Sequence, residues 1–119
     1  MRTGNNTPGY RAGDWLIISG QTGRISETVV EGGFEPQFKQ ALSNLGRILA
    51  ENGLALNNIA KVNIYLKDMS SYSRMNELYL SHFGNHRPAR TVIGVSDLNR
   101  NAVVEIEAWA YAPSETSSL

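Results

Sequence analysis

Apolar and polar positions alternate, cluster and recur along this chain in ways that mark out its elements. Trp15 to Ser19 is a short apolar run between Gly13-Asp14 and Gly20, which reads as a buried strand. A second strand is expected around Glu27 to Glu31, closed by Gly32-Gly33. Phe34, Phe38, Ala41, Leu42, Leu45, Ile48 and Leu49 then recur at spacings of three and four, one apolar stripe of a helix. Pro36 suits the first helical position, where its missing N–H is no loss. Asn52-Gly53 ends the helix, with Gly53 as a left-handed cap. From Ile59 to Leu66 the period drops to two: Val62, Ile64 and Leu66 share one face, Asn63 and Tyr65 the other. Asp68 and Ser70 or Ser71 can cap a second helix running to about Phe83, with Met75, Leu78, Tyr79 and Phe83 as its apolar side and Gly84 as its stop. Arg90 to Val95 reads as a strand and Leu98 to Asn101 as a turn. Val103 to Tyr111 is a long alternating strand. Val104, Ile106, Ala108 and Ala110 face one way; Val103, Glu105, Glu107, Trp109 and Tyr111 face the other.

The order strand, strand, helix, strand, helix, strand, strand predicts an α+β layer fold, with both helices on one face of a mixed sheet. Its other face would carry Tyr65, Trp109 and Tyr111 among charges. A sheet face with no helical cover invites burial against a second copy, so a homo-oligomer is expected. The 119 residues read as a single domain, with a core over about 13–112 and short polar ends.

Composition narrows the chemistry. Eleven Lys plus Arg balance eleven Asp plus Glu, and no basic run occurs, so the sequence has no electrostatic footprint for nucleic acid. Cysteine is absent, which removes disulfides, thiolate catalysis and Cys-ligated metal sites. No apolar run has the length of a membrane span and no secretory leader is seen, so a cytoplasmic location is expected. His82 and His86 are four apart, but Phe83-Gly84 ends the helix between them, and no cofactor is expected.

The remaining candidates are few. Glu105 and Glu107 point to one face of a strand, either as a solvated edge or with one carboxylate acting as a base towards water. Arg90 is either a surface charge or a guanidinium fork for a carboxylate. Arg90 and Glu105 lie on adjacent predicted strands joined by a short turn, which allows them to pair across a hairpin without requiring it. Ser19-Gly20-Gln21-Thr22-Gly23 lacks the Gly-Lys-Ser/Thr ending of a phosphate loop. Its glycines fit a turn or a close backbone approach better. Ser19 has no His–Asp partner pattern, which argues against a hydrolase triad.

Several segments together resemble the RidA/YjgF family of reactive-intermediate (imine/enamine) deaminases. They are Gly13-Asp14-Trp15-Leu16-Ile17-Ile18-Ser19-Gly20-Gln21, then 37–45 (QFKQALSNL), 62–69 (VNIYLKDM), 75–79 (MNELY), Pro88-Ala89-Arg90-Thr91 and Val104-Glu105-Ile106-Glu107-Ala108. The resemblance implies a chorismate-mutase-like α+β fold and a homotrimer with sites in the clefts between subunits. It places the carboxylate-binding arginine on Arg90 and the water-handling glutamate on Glu105. Ser19, Gly20, Thr91 and Val92 would shape the substrate pocket. The substrates implied are small imine or keto-acid carboxylates. Three departures bear on substrate choice. The place of the family's N-terminal Tyr falls near Asn6, with Tyr10 out of register; the proline after Gly-Gln is replaced by Thr22-Gly23; and the frequent site cysteine is Val92. Other readings are a small-carboxylate-binding module, a deaminase for one catabolic intermediate of the aminoacrylate or aminomuconate type, and a ribonuclease, which the neutral charge opposes.

Overall fold

The computed structural model describes residues 7–113. Five strands form one sheet in the order β1-β2-β7-β5-β6: β1 (Gly9–Ala12), β2 (Trp15–Thr22), β7 (Val104–Tyr111), β5 (Ile59–Leu66) and β6 (Ala89–Gly94). Two two-residue strands, β3 (Arg24–Ile25) and β4 (Thr28–Val29), make a separate small hairpin after β2. Helix α1 (Phe34–Glu51) leads into β5, and α2 (Tyr72–Phe83) crosses from β5 to β6. The β5–β6 pair is parallel and the other three pairs of the sheet are antiparallel. A parallel neighbour needs such a crossover, which α2 provides.

The expected apolar positions form the core. Phe38, Ala41, Leu42, Leu45, Ile48 and Leu49 of α1 and Met75, Tyr79 and Phe83 of α2 are buried against Leu16, Ile18, Val62, Ile64, Leu66, Val104, Ile106, Ala108 and Ala110 of the sheet. Both helices thus cover one face. Gly53 and Gly84 end them at φ of 73° and 62°, conformations that a side chain disfavours. Helix α1 begins at Phe34, so Pro36 is its third residue rather than its first, still inside the turn whose N–H groups lack helical partners. The Asp68 carboxylate accepts from the Ser70 N–H at 2.9 Å, capping the short 3₁₀ turn that opens into α2. The strand expected at Glu27 to Glu31 is only β4, clasped by Arg100, whose guanidinium reaches both the carbonyl and the carboxylate of Glu27.

The hairpin pairing that the sequence allowed does not form. Arg90 and Glu105 are not hairpin partners, because β5 lies between β6 and β7. The alternation of Val104, Ile106, Ala108 and Ala110 told which face each residue of β7 takes. It could not tell that β6 pairs in parallel with β5, since pairing is a non-local choice.

Candidate active site

Strand parity separates the two charged candidates. Arg90 pairs with Val62, which faces the helices, whereas Glu105 pairs with Tyr65 on the open face. Within one copy their side chains leave opposite sides of the sheet. The same parity puts Val92 beside Arg90, half-buried against the core, and Thr91 on the open face, where its Oγ1 accepts from Lys61 Nζ at 2.7 Å.

Glu105 is placed by a bulge in β2. Ile18 pairs with Ala108 and Gln21 with Ile106, so Ser19 and Gly20 together oppose one residue of β7. The bulge lays the bare backbone of Gly20 against the Glu105 carboxylate. A Cβ on Gly20 would lie 2.6 Å from Glu105 Cδ and nearer still to Oε2. Among the described residues no donor bonds to that carboxylate. Burial, and after it the negative charge of Glu107, push the Glu105 carboxyl above the ordinary carboxylate range. Glu107 is held instead by the Tyr65 hydroxyl and by Asn63 Nδ2 at 3.2 Å. Ser19 takes a backbone role: its N–H donates to Pro8 O at 2.9 Å and its hydroxyl to Thr7 O at 2.5 Å. Thr7-Pro8 therefore flanks the bulge, while Asn6 lies outside the described residues.

Arg90 sits on α2. Its guanidinium carbon stands 4.7 Å from the centre of the Tyr79 ring, Nη1 donates to Asn76 Oδ1 at 2.9 Å and Nη2 to the Tyr72 hydroxyl at 3.2 Å. No carboxylate pairs with it among the described residues. The partners Tyr72, Asn76 and Tyr79 are spaced four and three apart, one helix face. That spacing is legible in the sequence, but apolar periodicity points only Tyr79 inward, because Tyr72 and Asn76 fall outside the apolar stripe. Tyr79 is buried, and its hydroxyl has no hydrogen-bond partner among the described residues.

The uncovered face divides in two. Tyr10, Trp15, Ile17, Trp109 and Tyr111 make an apolar half, with a shallow depression of about 450 Å³ lined by Ala12, Trp15, Ile17, Lys61 and Trp109. Glu105, Glu107, Tyr65 and Asn63 make the polar half beside it. A larger cleft of about 600 Å³, between α1 and the β3–β4 hairpin, includes Ser19 and Gln21 but neither Glu105 nor Arg90. At its floor the Asn44 amide is satisfied on both sides, by Thr22 O, Arg24 O, Gln40 and Arg47. His82 is exposed on α2, and a His86 ring nitrogen is bonded to Ile59 O at 2.8 Å, so the two do not converge. Among the described residues no group of His, Asp or Glu is placed to hold a metal ion, and no helix is long and apolar enough to cross a membrane.

The family model described as endoribonuclease L-PSP matches residues 3–112. The chain belongs to this family. Its L-PSP-family relatives include a RutC family protein of Pyrococcus horikoshii, 42% identical over 103 residues, covering 85% of this chain and 82% of the relative. A mouse 2-iminobutanoate/2-iminopropanoate deaminase is 42% identical over 97 residues, covering 80% and 72%. Among solved structures, RidA of an Antarctic Psychrobacter superposes with a TM-score of 0.86 at 32% identity, covering 93% of this chain and 91% of that one. E. coli TdcF with bound serine superposes at 0.84 with 26% identity, covering 92% and 90%. The resemblance to RidA/YjgF proteins and the layer fold it implies are thereby borne out.

Proposed function

We propose that this L-PSP-family protein hydrolyses reactive 2-imino and enamine carboxylic acids to 2-keto acids and ammonia. The observation that carries the reading is a complementary pair of unsatisfied charges. Among the described residues, Arg90 is a guanidinium oriented by three α2 side chains with no anion on it, and Glu105 is a half-buried carboxylate with no donor on it. One suits a substrate carboxylate and the other a water.

Arg90 grips the carboxylate through two parallel N–H bonds, each worth about 1.5–3 kcal/mol as charge-assisted bonds. Glu105 accepts a proton from water as the hydroxyl adds to the imine carbon. The raised Glu105 carboxyl then returns that proton to nitrogen. Ammonia leaves as the carbinol O–H proton passes back to the Glu105 carboxylate and the carbonyl forms; that proton then goes to the ammonia, which departs as ammonium. A protonated imine is already electrophilic, so the reading includes no metal. Gly20, Ser19, Thr91 and Val92 shape the walls.

Because Arg90 and Glu105 leave opposite sheet faces, the reading places them together only between copies. The apolar half of the open face is the contact surface, and the homotrimer implied by the resemblance closes three such sites. The serine in the TdcF structure favours a second reading, in which the same pair binds small amino or keto carboxylates without turnover.

An amino-acid oxidase that generates 2-iminopropanoate, with semicarbazide trapping what remains, tests the two. Wild type is expected to deplete the imine faster than Arg90→Ala does. Saturable keto-acid binding with no imine loss would establish the binding reading instead.

A further inference from the structure

Beside Glu105 stands a second carboxylate that the proposed reaction does not use. Glu107 lies two residues along β7, so it leaves the same sheet face. The surroundings treat the two differently. Tyr65 pairs across the strands with Glu105, and Asn63 with Glu107, yet the Tyr65 hydroxyl passes over to Glu107. Glu107 thus has two donors from β5, and the phenol that register would offer to Glu105 is drawn away from it. On its other side the Glu105 carboxylate lies against the backbone of Gly20, with Thr22 as its register partner on β2.

We infer that Glu107 is a positioning residue for Glu105: clamped by Tyr65 and Asn63, it holds a negative charge at a fixed place beside the base and keeps the nearby phenol off it. This rests on the reading of Glu105 as the base. Of two neighbouring carboxylates, the one without donors is the one driven towards protonation, and a more basic carboxylate takes a proton from water more readily. The upward push on Glu105 agrees, with burial its larger cause and Glu107 its second. The Tyr65 phenol is pushed up to about 12, chiefly by its bond to Glu107, so it remains a donor wherever the base titrates. From the packed strands, Glu105 is faced by Tyr65 on β5 and by Gly20 and Thr22 on β2. The nearer cation in register, Lys67, is engaged with Asp97 at 3.6 Å, and Lys61 with Thr91. In the proposed assembly, Arg90 of a neighbouring copy is common to wild type and variant.

Glu107→Gln tests this, since it keeps an acceptor for Tyr65 and Asn63 and removes the charge. In wild type, kcat/KM for imine hydrolysis rises as pH climbs through the Glu105 pKa. In Glu107→Gln that acidic limb moves to lower pH, by about one unit for like charges roughly 7 Å apart under partial screening. A limb at unchanged pH overturns the proposal. The ¹³C shift of the Glu105 carboxyl carbon, titrated in both proteins, reads the same displacement without turnover, so a slow variant still decides. Glu105→Gln separates the two failures. If it is fully active, the base assignment is wrong. If it is inactive and the Glu107→Gln limb has not moved, only the role of Glu107 is wrong.

Discussion

Gly20→Ala places one methyl group between the bulge and the proposed base. The Gly20 φ lies outside the left-handed region, so the backbone itself accepts alanine. The obstacle is the new Cβ, 2.6 Å from Glu105 Cδ, where ordinary contact starts at 3.4 Å. The carboxyl must therefore retreat by about 0.8 Å at Cδ and by more at Oε2, and it can, because it is the free end of a flexible side chain. Displacements near 1 Å in a reacting group cost about 100-fold in rate, roughly 2.7 kcal/mol of barrier. Stability should fall by no more than about 1 kcal/mol, since no backbone has to move. The assay is imine depletion in the semicarbazide-coupled system, alongside thermal unfolding. The expected result is a kcat lower by about two orders of magnitude with a folded, assembled protein. In a Glu105→Gln background the same alanine should cost little more, because it acts through the side chain already altered. Wild-type kcat in Gly20→Ala would refute the reasoning.

Other perturbations separate roles elsewhere in the molecule. Gly23→Ala is the structural counterpart: its Cβ would lie 2.5 Å from Gln37 Cα, helix backbone that cannot swing aside, so chemical denaturation should show a loss of about 1–3 kcal/mol or more. Arg90→Lys keeps a positive charge but loses the planar fork. Its KM should rise at least about tenfold while kcat changes less, which steady-state kinetics over a range of imine concentrations will show. Glu105→Gln should abolish most turnover and yet raise the melting temperature at neutral pH. A carboxyl whose folded pKa is raised costs stability above that pKa and none below the unfolded value, so the gain should vanish as pH falls below about 4.

Much of this could be read along the chain. The three-and-four stripe of α1 and the alternation of β5 and β7 depend on local period, and local period decides which residues meet the core. The pairing of Glu105 with Glu107 on one face followed from the same parity. β1 was missed because Gly9, Tyr10, Arg11 and Ala12 have no buried alternation to betray a strand; they are an exposed edge held by main-chain pairing. The Arg90–Glu105 relation stayed open for a different reason. Short connections favour neighbouring strands, but the segment from β6 to β7 passes over β5, and the face on which Arg90 emerges is set by its parallel register with Val62. Nor could the sequence show that the Tyr65 hydroxyl serves Glu107 rather than the Glu105 it pairs with. That choice is made by side-chain reach within a fixed sheet.

The central claim is that one site draws Arg90 and Glu105 from different copies. It is tested most directly by mixing two inactive variants, Arg90→Ala and Glu105→Gln, unfolding and refolding them together at equal amounts, and assaying imine hydrolysis. In mixed assemblies some interfaces join an intact Arg90 from one copy to an intact Glu105 from the next. Random mixing makes this about one interface in four, so about a quarter of wild-type activity should return. A mixture as inactive as either variant alone would contradict the account.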